Sequence, residues 1–253
     1  MNTLNSQPIE KPVKLLPTAD LDLHQYHVNS IFYTIQGEGP FAGRTSVFVR
    51  LAGCNLQCPM CDTEYVKRKL MTAHGVLYQV RALFHGNTVR LHQSRDHYQP
   101  KPLVVITGGE PLRQPIAKLV NVLLGNGYAV QIETNGTLYQ PLPFQHDDLT
   151  IVCSPKAGSI NKRLMEHITA FKYVASWQEL EYSDDGLPTS ALDHSNGGGL
   201  ARPAEWWRGA VYLQPADHKD EAVNKLHMDA VVGSCLQYGY RLCLQMHKYC
   251  NVE

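Results

Sequence analysis

Apolar residues in this chain come in short continuous bursts, separated by stretches in which they recur every three or four positions. Residues 46–51 (SVFVRL) form a β-branched and aromatic burst, and 102–106 (PLVVI) read as a strand buried on both faces. Further strands are predicted at 128–132, 149–153, 168–175, 210–213 and 240–244. Helical spacing predicts a helix over 69–84, with Leu77, Val80, Ala82, Leu83 and Phe84 as its apolar positions. A second passes through Ile116, Leu119, Val120, Leu123 and Leu124, and Gly125-Asn126-Gly127 stops it. A third spans 217–237. Strands alternating with helices imply an α/β fold built on a mainly parallel sheet with right-handed crossovers.

Three regions break the rhythm. Residues 1–25 lack the apolar stretch of a secretory leader and read as an N-terminal extension, ahead of a domain over 26–253. Residues 85–100 are polar, and their histidines come without the cysteines or carboxylates of a metal tract, so they read as a looped insertion. Residues 176–207 are rich in Gly, Pro, Ser and Asp and read as a long loop or partly disordered insertion. Trp206 and Trp207 end it, positioned to pack on the barrel exterior or on a dimer partner.

Composition narrows the function classes. With 23 basic and 23 acidic residues, no electrostatic footprint for nucleic acid stands out. No apolar run nears the roughly 18 residues that cross a membrane. The seven cysteines are an odd number with three in one loop, which argues against a disulfide framework and for a reducing compartment, the cytoplasm. Cys153 and Cys243 sit in strand-like runs and read as small core residues.

The polar clusters fall directly after predicted strands. They are Cys54 to Cys61, Thr107 to Glu110, Glu133 to Asn135, Ser154 to Lys156, Gln214-Pro215 and Gln245 to His247. In barrel enzymes the chemistry gathers at those C-terminal strand ends. Cys54-x3-Cys58-x2-Cys61 is the densest cluster. Three thiolates suit either zinc or an iron–sulfur cluster, and a four-thiolate cubane held by three would keep one iron open. Gly108-Gly109-Glu110-Pro111 by itself is also the chemistry of a plain turn.

The CxxxCxxC loop and the GGEP motif resemble the radical S-adenosylmethionine superfamily. Gln36-Gly37-Glu38-Gly39, Arg50, Cys61-Asp62-Thr63, Glu133-Thr134-Asn135-Gly136-Thr137, Ser154-Pro155-Lys156 and Gln245-Met246-His247-Lys248-Tyr249 narrow the likeness. The chain is similar to the 7-carboxy-7-deazaguanine synthase family. That resemblance implies a partial TIM-like (β/α) barrel of about six to seven mainly parallel strands. It implies a [4Fe–4S] cluster on Cys54, Cys58 and Cys61 with one open iron for S-adenosylmethionine, which is reduced and cleaved to a 5′-deoxyadenosyl radical.

The same resemblance implies cofactor contacts from Met60, Cys61, Asp62, Gly108, Gly109, Glu110, Ser154, Pro155, Lys156, Gln214, Pro215, Ala216 and Asp217. It sets the Glu110 carboxylate against the methionine amine. The substrate it implies is 6-carboxy-5,6,7,8-tetrahydropterin, met by Ile35, Gln36, Gly37, Glu38, Arg50, Thr107, His247 and the terminal Glu253, with Mg²⁺ at Thr63. Arg50 is the natural partner of the substrate carboxylate. Ring contraction with loss of ammonia would yield 7-carboxy-7-deazaguanine, a queuosine precursor. An electron donor such as a flavodoxin or ferredoxin, and a homodimer, are implied as partners. A glycyl-radical-enzyme activase shares the cysteine loop but needs neither QGEG nor Arg50. A metal-binding or electron-transfer module leaves GGEP and the strand-end pattern unexplained.

Overall fold

The structure, a computed structural model, describes residues 25–59, 61, 67–87, 100–191 and 199–252. Its frame is a nine-stranded sheet in the order β3-β1-β2-β4-β5-β6-β7-β8-β9. The strands are β1 (Gln25–Ile35), β2 (Thr45–Leu51), β3 (Lys69–Thr72), β4 (Leu103–Gly108), β5 (Ala129–Thr134), β6 (Leu149–Cys153), β7 (Ala170–Ala175), β8 (Ala210–Pro215) and β9 (Arg241–Leu242). Neighbours from β2 to β9 pair in parallel, while β1 runs antiparallel to both β2 and β3. Among the described residues β3 and β9 remain edges, so the sheet is an open, partial barrel.

Two faces of the sheet have different jobs. Side chains alternate along a strand, and one set (Val47, Val49, Val104, Ile106, Val130, Ile132) is fully buried in the main core. That core includes α1 (Ala73–Asn87) and α2 (Ala117–Gly125), whose Leu119, Val120 and Leu123 have no exposed surface. Burying each such side chain contributes about 1.5–3 kcal/mol. The opposite face is apolar low on the strands, at Leu103, Val105 and Ala129 and at Val152, Ala170 and Tyr212. Two residues further along the same strands it turns polar, at Thr107, Gln131, Ser154, Lys172 and Gln214. That step from apolar to polar places the site.

The structure departs from the expected elements in several places. The stretch 69–84 is not one helix. Lys69 to Thr72 pair with Val28 to Gln25 as β3, and the helix starts only after Thr72, whose hydroxyl accepts from the Gly75 amide (3.1 Å). Strand β1 has no counterpart in the sequence reading. Its register slips between Val28 and Ser30, leaving Asn29 as a bulge residue.

The stretch 176–207 is largely a docked segment in its described part. Helix α4 (Trp177–Glu181) opens with a Ser176/Glu179 capping box. Arg202 makes a forked pair with Asp185 (Nε to Oδ2 2.6 Å, Nη2 to Oδ1 3.2 Å) and also donates to the Pro188 carbonyl (2.8 Å). The Trp207 indole N–H donates to the Ile168 carbonyl (2.9 Å), and its ring stands edge-on to Phe171. Residues 88–99 and 192–198 of the two expected insertions, residues 1–24, and Met60, Asp62, Thr63 and Glu253 lie outside the described residues.

The remaining helices are α3 (Lys162–Met165), α5 (Glu221–Tyr238) and α6 (Met246–Cys250). Asp220 caps α5 by accepting from the Val223 amide (3.0 Å). No helix among the described residues is long and apolar enough to cross a membrane.

Candidate active site

A cavity of about 320 Å³ opens over the polar half of the inner face. Of the sequence-predicted residues, Ile35, Gln36, Glu38, Arg50, Thr107, Ser154, Lys156, Gln214, Pro215, Ala216, Asp217 and His247 line it. Register explains part of this convergence, since Arg50 stands beside Thr107 across the β2–β4 pair. The Arg50 guanidinium lies 4.8 Å from the Phe32 ring centre, and no described carboxylate pairs with it.

The cysteine loop leaves β2 directly and is pinned from two sides. Gly109 and Glu110 donate their amides to Leu51 (3.1 Å) and Gly53 (2.9 Å), and the Arg113 guanidinium donates to the Cys54 carbonyl (2.6 Å). On the other side Asn55 donates to the Thr137 hydroxyl (2.8 Å) and accepts from the Asn135 amide group (3.0 Å). The GGEP and ETNGT motifs thus act as brackets for the loop. A Cβ at Gly108 would sit 2.0 Å from the Leu51 carbonyl oxygen, and one at Gly109 2.1 Å from that of Gly53. Gly108 also has φ +128°, so this approach of two backbones demands glycine.

Glu110, expected against a cationic amine, has its carboxylate engaged by neighbouring protein groups. Its carboxylate is fully buried, accepting from the Leu112 amide (2.9 Å), the Thr134 hydroxyl (2.8 Å) and the Asn135 amide (2.7 Å). It ties the loop after β4 to the loop after β5 and is not among the cavity-lining residues. Pro155 is buried behind Ser154, whose hydroxyl accepts from Lys156 Nζ (2.6 Å).

All seven cysteines are free. Burial raises Cys54, and pushes Cys58 up to about 11 against the pull of the nearby Lys156 ammonium. Cys61 lies close enough to add to the rise of both Cys54 and Cys58, Cys54 adds to that of Cys58, and the Cys61 amide donates to the Cys58 carbonyl (3.2 Å). Among the described residues no three His, Cys, Asp or Glu side chains already converge as a metal site. The donor set is nevertheless right for a thiophilic cluster: three thiols in one short loop, beside a cation and a cavity.

Sequence reasoning missed the centre of the polar network. Lys172 on β7 is buried and ion-paired to Glu38, with Glu133 Oε2 at 3.6 Å. Glu38 also accepts from Gln245 (3.0 Å), and Glu133 accepts from Gln36 (3.0 Å) and Gln131 (2.8 Å). Gln36 in turn accepts from the Glu38 amide (3.1 Å), which fixes its carboxamide orientation. Burial works to raise the Glu38 pKa, but the Lys172 ammonium holds it down at about 2. Burial likewise opposes the charge on Lys172, yet Glu133 and Glu38 raise its pKa above the ordinary lysine value. One signal was visible: a lone lysine inside the apolar run 168–175.

Gly37 illustrates the tolerance of the site. A Cβ there would lie 2.2 Å from His247 Nδ1 and 2.9 Å from the His247 amide nitrogen. The adjoining Met246 amide donates to the Gly37 carbonyl (3.2 Å). Gly37→Ala is expected to push His247 off its position and lower kcat/KM about 10²-fold, with the melting temperature reporting any accompanying loss of stability.

No family model matches the chain. It is 39% identical over 231 residues to 7-carboxy-7-deazaguanine synthase of Rhodospirillum rubrum, covering 89% of this chain and 92% of that protein. It is 40% identical to the Rickettsia prowazekii enzyme of the same name (89% and 88% covered) and 28% identical to that of Escherichia coli (90% and 99%). The crystal structure of QueE from Escherichia coli matches with a TM-score of 0.60 at 22% identity, over 87% of this chain and 93% of that one, and shares the fold. The chain therefore belongs to the 7-carboxy-7-deazaguanine synthase family.

Proposed function

We propose that the protein is a radical S-adenosylmethionine lyase that converts 6-carboxy-5,6,7,8-tetrahydropterin to 7-carboxy-7-deazaguanine with loss of ammonia. The observation that carries this reading is Arg50, a cavity-lining cation without a described carboxylate partner, on the strand that feeds the three-thiol loop. When bound, a [4Fe–4S] cluster and S-adenosylmethionine supply the 5′-deoxyadenosyl radical that takes hydrogen from C6 of the pterin.

The residues divide the remaining work. Cys54, Cys58 and Cys61 are the three thiolate ligands, carried by the loop that Gly109, Glu110, Arg113 and Asn55 pin. Gly108, Gly109, Ser154 to Lys156 and Gln214 to Asp217 are the contacts of S-adenosylmethionine. Asp217 is held below the usual carboxylate range by Lys248, so it stays charged. Arg50 binds the substrate carboxylate, while Ile35, Gln36, Gly37, Glu38, Thr107 and His247 surround the ring. Glu38, ionised beside Lys172, accepts from the amino and amide edge of the pterin. Lys172 keeps its proton and acts by holding Glu38 and Glu133 in place.

Roles for Met60, Asp62 and the terminal Glu253, and Mg²⁺ at Thr63, rest on the family likeness alone. Mg²⁺ prefers oxygen ligands, which a threonine hydroxyl and a substrate carboxylate supply. A reducing cytoplasm, a flavodoxin- or ferredoxin-like electron donor and a homodimer complete the proposal.

Arg50→Met tests the substrate assignment. A charge-assisted contact of this kind is worth about 1.5–3 kcal/mol, so kcat/KM should fall roughly 10- to 100-fold, mainly through KM for the pterin. Unchanged KM for the pterin would contradict the assignment.

A further inference from the structure

We infer that His218 is a binding residue for S-adenosylmethionine, and that His227 is the positioning residue that fixes its tautomer. In this arrangement His218 Nε2–H donates to an uncharged acceptor on the nucleoside half of the cofactor. The inference rests on the proposed cofactor site at Gln214 to Asp217, which His218 directly follows.

The proton positions follow from one backbone bond. The Trp177 amide donates to His227 Nδ1 (3.0 Å), so that nitrogen carries no proton. His227 has no exposed surface, and burial together with the neighbouring His218 disfavours its charged form. Its single proton therefore sits on Nε2, which lies 2.9 Å from His218 Nδ1. His218 Nδ1 must accept, which leaves the proton of a neutral His218 on Nε2, at the other edge of the ring. His218 is exposed and lines the cavity, so this N–H is the polar atom the ring has left to present there.

The backbone beneath the ring is fixed as firmly. Asn224 accepts from the His218 amide (2.8 Å) and donates to Asp217 Oδ1 (2.9 Å), which also accepts from the Lys219 amide (2.9 Å). Lys219 has φ +56°, a left-handed conformation that a non-glycine residue keeps only when its surroundings over-determine it. Strain of this kind gathers at ligand sites. A histidine pair that only filled space would need neither a strained neighbour nor a ring edge at the cavity. A neutral N–H suits a ribose oxygen or a ring nitrogen, whereas carboxylates call for the cations elsewhere in the site.

The test uses the full chain with its cluster reconstituted and left oxidised, so that S-adenosylmethionine binds without being cleaved. Long-range ¹H–¹⁵N spectra of the histidine rings should show both His218 and His227 as neutral Nε2–H tautomers. Calorimetry should show S-adenosylmethionine binding about tenfold more weakly to His218→Phe and His227→Phe, and no weaker still to the double variant. His227→Gln, which keeps a donor at the Nε2 position, should recover most of the loss. His218→Phe alters an exposed ring, so it reports even where the buried His227→Phe variant fails to fold. Wild-type affinity in His218→Phe, or a His218 protonated on Nδ1, would overturn the relay while leaving the cofactor site intact. Failure of the wild-type protein to bind S-adenosylmethionine would overturn the underlying reading itself.

Discussion

Cys58→Ala is expected to abolish product formation and to leave the protein folded but without its cluster. Cys58 is half-buried in a loop whose position is set by backbone bonds from Gly109 and Glu110 and by the Arg113 and Asn55 side chains, none of which involves the thiol. Removing the sulfur therefore costs little packing. A cubane already held by only three thiolates cannot lose another and stay bound tightly. Iron and sulfide content, with visible absorbance, would fall towards background while circular dichroism stays unchanged. Cys235→Ala, on α5 and away from the loop, should retain iron and activity. Iron retained in full by Cys58→Ala would contradict the ligand assignment.

Lys172→Met should have the largest effect on stability. It removes the cation from a buried cluster and leaves Glu38 and Glu133 facing each other without it. Breaking a buried pair by deleting one partner costs about 3–5 kcal/mol, and denaturant titration at neutral pH would read it. The pH dependence should also change sign. In the wild-type protein the Glu38 pKa is depressed from 4.5 to about 2. Its contribution to stability is therefore complete above pH 4.5 and is lost as the pH falls towards 2. In the variant the Lys172 charge and hydrogen bond no longer oppose burial. Burial, the largest influence on Glu38, is expected to carry its pKa above 4.5 against the remaining Gln245 hydrogen bond and His247 charge. The variant should then lose stability as the pH rises above 4.5, where the unfolded chain releases a proton that the folded chain holds. Parallel pH profiles for the two proteins would contradict the ion-pair reading.

The parts of this site that were legible in the sequence share one property: each is local. Apolar bursts ending in Cys54, Thr107, Ser154 or Gln214 announce strand ends, because a buried parallel strand needs an unbroken apolar run and its loop does not. The helix stop at Gly125-Asn126-Gly127 was equally local. Strand β1 escaped because the Asn29 bulge breaks its alternation, so His27, Asn29, Ser30 and Thr34 give no period. Strand β3 escaped because KLMT has no strand preference of its own and is extended only by pairing with β1. Lys172 was readable as an odd lysine, but its partner Glu38 is 134 positions away. Nothing local could have joined them. Glu110 was recognised by its motif, yet the motif does not say that its carboxylate is spent on Thr134 and Asn135, 24 and 25 positions on.

On the proposed reading, the cavity brings a tetrahydropterin to the three-thiol loop for hydrogen abstraction at C6. The most direct test supplies the reconstituted protein, anaerobically, with reductant, Mg²⁺, S-adenosylmethionine and 6-carboxytetrahydropterin deuterated at C6. Mass spectrometry should find 7-carboxy-7-deazaguanine together with 5′-deoxyadenosine that carries the deuterium. Cleavage of S-adenosylmethionine with no deuterium transfer and no deazapurine product would contradict the claim.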